Sequence, residues 1–287
     1  MTRLCTDDIQ NIASALDDYD SQLIKKTGGT LRQIACRAVG VDEKEVYHIL
    51  NACRVAIIPI TSGQGVIDGF ARTVQSIAVH LGFSAFVSTK TDVSGLGEAF
   101  EKDAGLIMLA DDHCFIAIHP LSGRVVDNGE ATGKGFATAL NMMTGGLKER
   151  EVLLIGAGRV GKSAALAMLR MGAGISIYDI DPVRNGKLAG EFNDIFESKV
   201  KLETDLNEAL LRHRIFFDAS PSANFIRSQH ITSETFVAAP GLPLGLSNRA
   251  LAKASGRVLY DPLQIGVATM MFSALFDGQM RTCANRT

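Results

Sequence analysis

The chain lacks three things that would each have set its class. It has no excess of one charge, since 29 Lys and Arg stand against 31 Asp and Glu in 287 residues. A face that grips nucleic acid shows as clustered Lys and Arg, whereas Lys25-Lys26 and Lys148-Glu149-Arg150 read as solvated helix ends, so no nucleic-acid partner is expected. It has no apolar run near the roughly 20 residues that span a bilayer. Met1-Thr2-Arg3-Leu4 opens no leader-like stretch either, and a cytoplasmic protein without membrane contact is expected. It has no close cysteine pair. Cys5, Cys36, Cys53, Cys114 and Cys283 form neither a Cys-x-x-Cys pair nor a regular framework, which argues against a metal site and a disulfide scaffold. They read as small buried apolar residues, Cys114 beside His113 included, with a thiolate nucleophile there as the minor reading.

What is present is an ordinary globular balance, 46% hydrophobic and 21% charged, long enough for two compact units. Helical spacing runs through Ile9, Ile12, Ala13, Leu16 and Leu23, predicting one helix over 7–25 that ends at Gly28-Gly29. Shorter helices follow over 30–39 and 42–52. Val55-Ala-Ile-Ile is then a strand, Thr61 to Gly65 a turn, and 66–81 a helix. Strands near 85–87, 106–109 and 115–118 with a helix over 93–102 complete the first half. After a Gly-rich stretch, 123–135, a helix over 134–144 leads to Gly145-Gly146, read as a hinge into a second alternating series that ends in a helix over 266–276. Strands alternating with helices predict an α/β fold with mostly parallel sheets.

In the second series Val152-Leu-Leu-Ile155 runs into Gly156-Ala-Gly158-Arg159-Val160-Gly161 and then a helix-forming run. The first glycine permits a tight turn, the second lets backbone approach a pyrophosphate, and the third lets helix and strand pack closely, with phosphate charge at the helix N-terminus. Ile175-Ser-Ile-Tyr178 ends in Asp179, placed to accept both ribose hydroxyls and to repel a 2′-phosphate, so NAD is expected over NADP. The same residues with Lys162-Ser163 also satisfy the P-loop pattern, in which Lys162 would hold phosphate and Ser163 magnesium. Gly158 and Asp179 favour the dinucleotide reading. Loops at the carboxyl ends of later strands place Ser220, Pro221, Pro240, Gly241 and Leu242 beside the nicotinamide and its ribose, although turn chemistry explains such residues equally.

Several stretches together resemble one family, the dehydrogenases that form pyrrolysine from methylornithyl-lysine. They are Pro59 to Ile67, Asp92 to Gly95, Met108 to Asp112, the Gly156 to Gly161 loop, Ala219 to Asn224, Pro240 to Pro243 and Pro262 to Thr269. The resemblance runs end to end and implies a helical N-terminal cap (1–53), a central α/β substrate-binding part (54–130) and a C-terminal Rossmann domain (131–287). It implies NAD-dependent oxidation of the terminal amine of the methylornithine part, capture of the imine or aldehyde by the second amine, and ring closure without a metal. It further implies Asp111 and Asp261 as catalytic carboxylates, with Thr61, Ser62, Gly63 and Asp112 binding substrate. A helix or turn cap is the competing role for Asp111, and a plain turn for residues 61–63. The chain departs from the family pattern at Asp261, where a Glu is usual, and at Gln264, where a small residue is usual. Two other readings stand beside this one: an NAD-dependent oxidoreductase of another amino or hydroxy acid, and a non-catalytic NAD(H) sensor, which has no need of converging carboxylates. A homodimer is compatible with any of them.

Overall fold

The computed structural model describes residues 4–196 and 200–276. Its N-terminal segment is not one helix. Helix α1 (Thr6–Ile9) gives way to a 3-10 turn (Ala13–Ala15) and then to α2 (Leu16–Thr27). The apolar positions predicted from the spacing, Ile9, Ile12, Leu16 and Leu23, are buried. The break falls where the Ser14 hydroxyl donates to the Asn11 carbonyl, a local bond that competes with the helical ladder. Helix α3 (Leu31–Val39) starts at a reciprocal cap, with Thr30 Oγ1 accepting from Gln33 N–H and Gln33 Oε1 from Thr30 N–H, and stops at Gly40. Helix α4 (Glu43–Ala52) is capped by Asp42.

Strand β1 (Arg54–Ile58), helix α5 (Phe70–His80), β2 (Ser84–Val87), α6 (Asp92–Glu101), β3 (Leu106–Ala110), β4 (Phe115–His119) and β5 (Arg124–Asp127) follow, in a sheet of order β2-β1-β3-β4-β5. The first three positions are parallel; β4 and β5 are antiparallel additions. Strand β5 and the early start of helix α7 (Asn128–Met143) depart from the expected loop over 123–135. Asp127 Oδ1 accepts the N–H groups of Gly129 and Glu130, capping the helix and drawing Gly129, Gly133 and Gly135 into it.

The second sheet is wholly parallel: β6 (Glu151–Ile155), α8 (Arg159–Arg170), β7 (Gly174–Tyr178), α9 (Pro182–Phe196), β8 (Val200–Leu202), α10 (Leu206–Arg212), β9 (Ile215–Asp218), β10 (Phe236–Ala238), α11 (Asn248–Lys253) and β11 (Val258–Leu259). Its order, β11-β10-β9-β6-β7-β8, reversed reads as the doubly wound 3-2-1-4-5-6 arrangement of dinucleotide-binding folds. Central strands β6, β7 and β9 are almost entirely buried, as parallel strands covered on both faces are.

Helix α12 (Gln264–Phe276) is buried along its whole length. It packs on α3, α5, β3, β4 and β5, so the chain from Leu263 belongs with the first sheet. This corrects the assignment of 131–287 to one domain. Among the described residues, one unit is built from 22–29 and 132–262, the other from 4–21, 30–131 and 263–276. A helix buried all round, polar Gln264, Thr269 and Ser273 included, must be covered on every side, and α3, α5 and the first sheet supply that cover. The Gly145-Gly146 pair ends α7 and is no unit boundary, which falls inside that helix. Among the described residues no helix is long and apolar enough to cross a membrane, and no three His, Cys, Asp or Glu could share a metal ion. Cys36 and Cys53 are buried and Cys5 and Cys114 exposed, all as free thiols; Cys283 lies outside the described residues.

Candidate active site

In the parallel unit, the glycine loop joins β6 to α8 at the place where the winding reverses, between β6 and β9. Gly156 adopts φ +96, which a side chain rarely tolerates, and its Cα faces the Ala219 carbonyl of the loop after β9. Gly158 caps α8 and opens onto empty space, with no atom within 4 Å of where a Cβ would stand. Backbone that open at the start of a 12-residue helix fits a pyrophosphate. Arg159 is exposed, Val160 half-buried and Gly161 buried in the first turn of that helix. Lys162, the lysine a P-loop would turn onto phosphate, instead pairs with Glu191 of α9 at 2.6 Å.

Asp179 stands at the end of β7, as the pattern requires, but its carboxylate already supports the loop. Oδ2 accepts the Ala157 N–H at 2.6 Å and Oδ1 the Asp181 N–H at 2.9 Å. Each oxygen keeps a second lone pair for a ribose hydroxyl. Arg184 Nη1 lies 4.0 Å from Oδ2.

The loop after β9 is organised by Asp218, the last residue of that strand. It is 1% exposed, and its Oδ1 accepts both the Ser220 hydroxyl at 2.7 Å and the Ser220 N–H at 3.1 Å. Burial pushes its pKa up to about 6, against the Ser220 and Gly245 hydrogen bonds that favour the charged form. Gly245 packs directly on its Oδ2, so one buried carboxyl ties the 219–224 loop to the 240–246 loop. Ser220 is thereby fixed, Pro221 is exposed, Pro240 is half-buried, and Gly241 lies against the Ser220 carbonyl. Asp261, after β11, is 3% exposed. Lys26, in the last turn of α2, belongs to the same unit; burial lowers its pKa and the Asp261 carboxylate opposes that shift. In the sequence Lys26 reads only as a solvated helix end, because nothing in its spacing links residue 26 to residue 261.

In the other unit, the loop after β1 and the turn after β3 meet at the carboxyl ends of neighbouring parallel strands. Thr61 is held by Asp92, its N–H donating to Oδ1 at 2.8 Å and its hydroxyl to Oδ2 at 2.7 Å, and these bonds pull the Asp92 pKa down. Ser62 is exposed, and Gly63 is at φ +68 with Asp112 Oδ2 where a Cβ would fall. Asp112 Oδ2 also accepts the Gln64 N–H at 2.7 Å, stitching the turn to the loop. Asp111 points the other way: Oδ1 accepts the N–H groups of His113 and Cys114, both at 2.7 Å. Those bonds, Cys114 first, hold its carboxyl below the usual range. Asp111, an exposed residue, is therefore a turn cap, and its Oδ2 makes no hydrogen bond within the described residues. The adjacent carboxylates diverge as their strand-end position predicts.

Residues 8–126 match the family described as Pyrrolysine biosynthesis protein PylD, N-terminal domain, and residues 126–228 match the Alanine dehydrogenase/PNT, C-terminal domain. The chain is similar to the pyrrolysine synthase of Methanosarcina acetivorans, 29% identical over 277 residues, covering 96% of this chain and 100% of the relative. It is equally similar to that of Methanosarcina barkeri, 29% identical over 278 residues, covering 96% and 98%. Among solved structures, the fold resembles quinate dehydrogenase from Corynebacterium glutamicum in complex with NAD (15% identity, 77% of this chain and 93% of that one, TM-score 0.54). It also resembles shikimate dehydrogenase from Aquifex aeolicus (13% identity, 82% and 98%, TM-score 0.53).

Proposed function

We propose, from a resemblance to pyrrolysine-forming dehydrogenases that the domain matches and relatives bear out, that this chain oxidises methylornithyl-lysine with NAD and closes the pyrroline ring. One observation carries the reading: a domain of the pyrrolysine-biosynthesis type, at 8–126, is followed in the same chain by a doubly wound sheet with an open glycine loop and an acid closing the next strand. Bound nicotinamide supplies the acceptor for a hydride leaving the carbon that bears the terminal amine of the methylornithine part. The resulting imine, or the aldehyde that water makes of it, is attacked by the second amine. A carbon–nitrogen bond forms and ammonia or water leaves.

Gly156, Gly158, Arg159, Val160 and Gly161 hold the pyrophosphate, Asp179 the adenine ribose, and Ser220, Pro221, Pro240 and Gly241 the nicotinamide ribose. Asp111 holds a substrate ammonium through Oδ2. Its lowered pKa keeps it ionised at neutral pH, which makes it an ion partner and a poor proton acceptor. Thr61, Ser62, Gly63 and Asp112 give the substrate loop its shape, and Asp261, buried with Lys26 nearby in charge, is the second carboxylate of the machinery.

Purified protein with NAD and methylornithyl-lysine should yield reduced cofactor and, by mass spectrometry, a product lighter by ammonia and two hydrogens. Asp111→Asn should lower turnover about ten- to a hundred-fold with NAD affinity unchanged. Oxidation of another diamine or hydroxy acid in place of methylornithyl-lysine would sink the reading, and NAD binding without any oxidation would leave a sensor.

A further inference from the structure

Among the described residues of the unit that contains the Thr61 loop, Gln264 and Thr269 of α12 each bury a side-chain oxygen that accepts no hydrogen bond, and Gln264 is the one that begins the helix. Gln264 is 7% exposed, and its Oε1 has no hydrogen-bond partner among the described residues. A buried amide oxygen left unpaired is costly, and a bound molecule that completes it is one physical reason for a native protein to keep it.

Its place in the fold says which end of the unit that molecule would occupy. Arg124, the first residue of β5, donates from Nη1 to the carbonyls of Ser273 and Ala274 in the last turns of α12. Arg124 pairs across from His119, which ends β4, and β4 runs antiparallel to β3. The far end of α12 therefore sits at the amino-terminal end of β3. A 13-residue helix is about 20 Å long, and a five-residue strand about 17 Å, so α12 laid along these strands carries Gln264 to their carboxyl ends. The Thr61–Gly65 loop and the Asp111–Asp112 turn stand at that end.

We propose that Gln264 recognises the substrate, its Oε1 accepting a hydrogen bond from a substrate N–H, either the amide that joins the two halves of a diamino-acid conjugate or one of its amines. This rests on the function proposed above and assigns a specificity role to a residue outside its catalytic set. An apolar residue at 264 would fill the same space without reading that N–H.

Gln264→Leu, close in volume, provides the test, with Gln264→Glu as the variant that keeps an acceptor. Removing an orphaned buried oxygen should leave the thermal midpoint of Gln264→Leu equal or higher. Calorimetric titration with methylornithyl-lysine in the absence of cofactor should show binding weakened about five- to ten-fold, and KM should rise by the same factor with kcat little changed. Gln264→Glu should bind substrate at least as well as Gln264→Leu. A Gln264→Leu protein that is folded and binds as the wild type does overturns this inference alone. A wild-type protein that neither binds nor oxidises methylornithyl-lysine overturns the proposed function and this inference with it.

Discussion

Under the proposed function Asp179 serves two ends. Its oxygens hold the Ala157 and Asp181 N–H groups, so the charge that would repel a 2′-phosphate also shapes the glycine loop. Asp179→Ser should weaken NAD by roughly 1.5–3 kcal/mol through lost charged hydrogen bonds. Relief of repulsion, with Arg184 released from a carboxylate now 4.0 Å away, should improve NADP. The ratio of kcat/KM for the two cofactors measures this, and an unchanged ratio would show that the aspartate does not face the ribose. Asp218 supplies a pH signature. Burial keeps its proton to about pH 6 in the folded chain, whereas an unfolded chain releases it near about pH 4. Between those values the unfolded state binds fewer protons, so stability falls as pH rises, by up to about 1.4 kcal/mol per pH unit, and stays lowered above the window. Asp218→Asn should flatten that segment in urea titrations; the same slope in the variant would assign the loss to other groups.

At the scale of elements, α7 approaches the start of α8 so closely that a Cβ on Gly133 would collide with the Val160 carbonyl. Gly133→Ala should cost about 1–3 kcal/mol by overpacking and weaken NAD by displacing the first turn of α8. Equal thermal midpoints for variant and parent would mean that the helices separate freely. Most elements could be read from the sequence because their signals are local: the caps of α3 and α4, the apolar run of β6 and the glycine loop all announce themselves within a few residues. Strand β5 could not. Arg124-Val-Val-Asp127 earns its strand only by pairing with β4, and the glycines beyond it become helical only because Asp127 caps them. The same limit applies to the site. The glycine loop and Asp179 were legible, whereas the partners that fix them, Asp92 for Thr61, Lys26 near Asp261 and Gly245 for Asp218, come from distant positions that no periodicity connects.

For the whole molecule, the placement of α12 decides which fragments can stand alone. A fragment of residues 131–287 carries a helix buried on every side in the intact chain but stripped of α3, α5 and the first sheet. It should aggregate, whereas residues 132–262 should stay monomeric in size-exclusion chromatography and bind less of a hydrophobic dye. A monomeric longer fragment with low dye binding would show that α12 needs no partner from the first unit. The same topology sets an order on the ribosome, where chains usually fold from the N-terminus forward. Here the parallel unit has all its described segments once Pro262 has emerged, while the unit begun earlier waits for α12. The unit begun earlier must therefore pass most of its synthesis with an open apolar groove, and a stop codon just after residue 262 would leave the later-made parallel-sheet half folded and the earlier-made half unfinished.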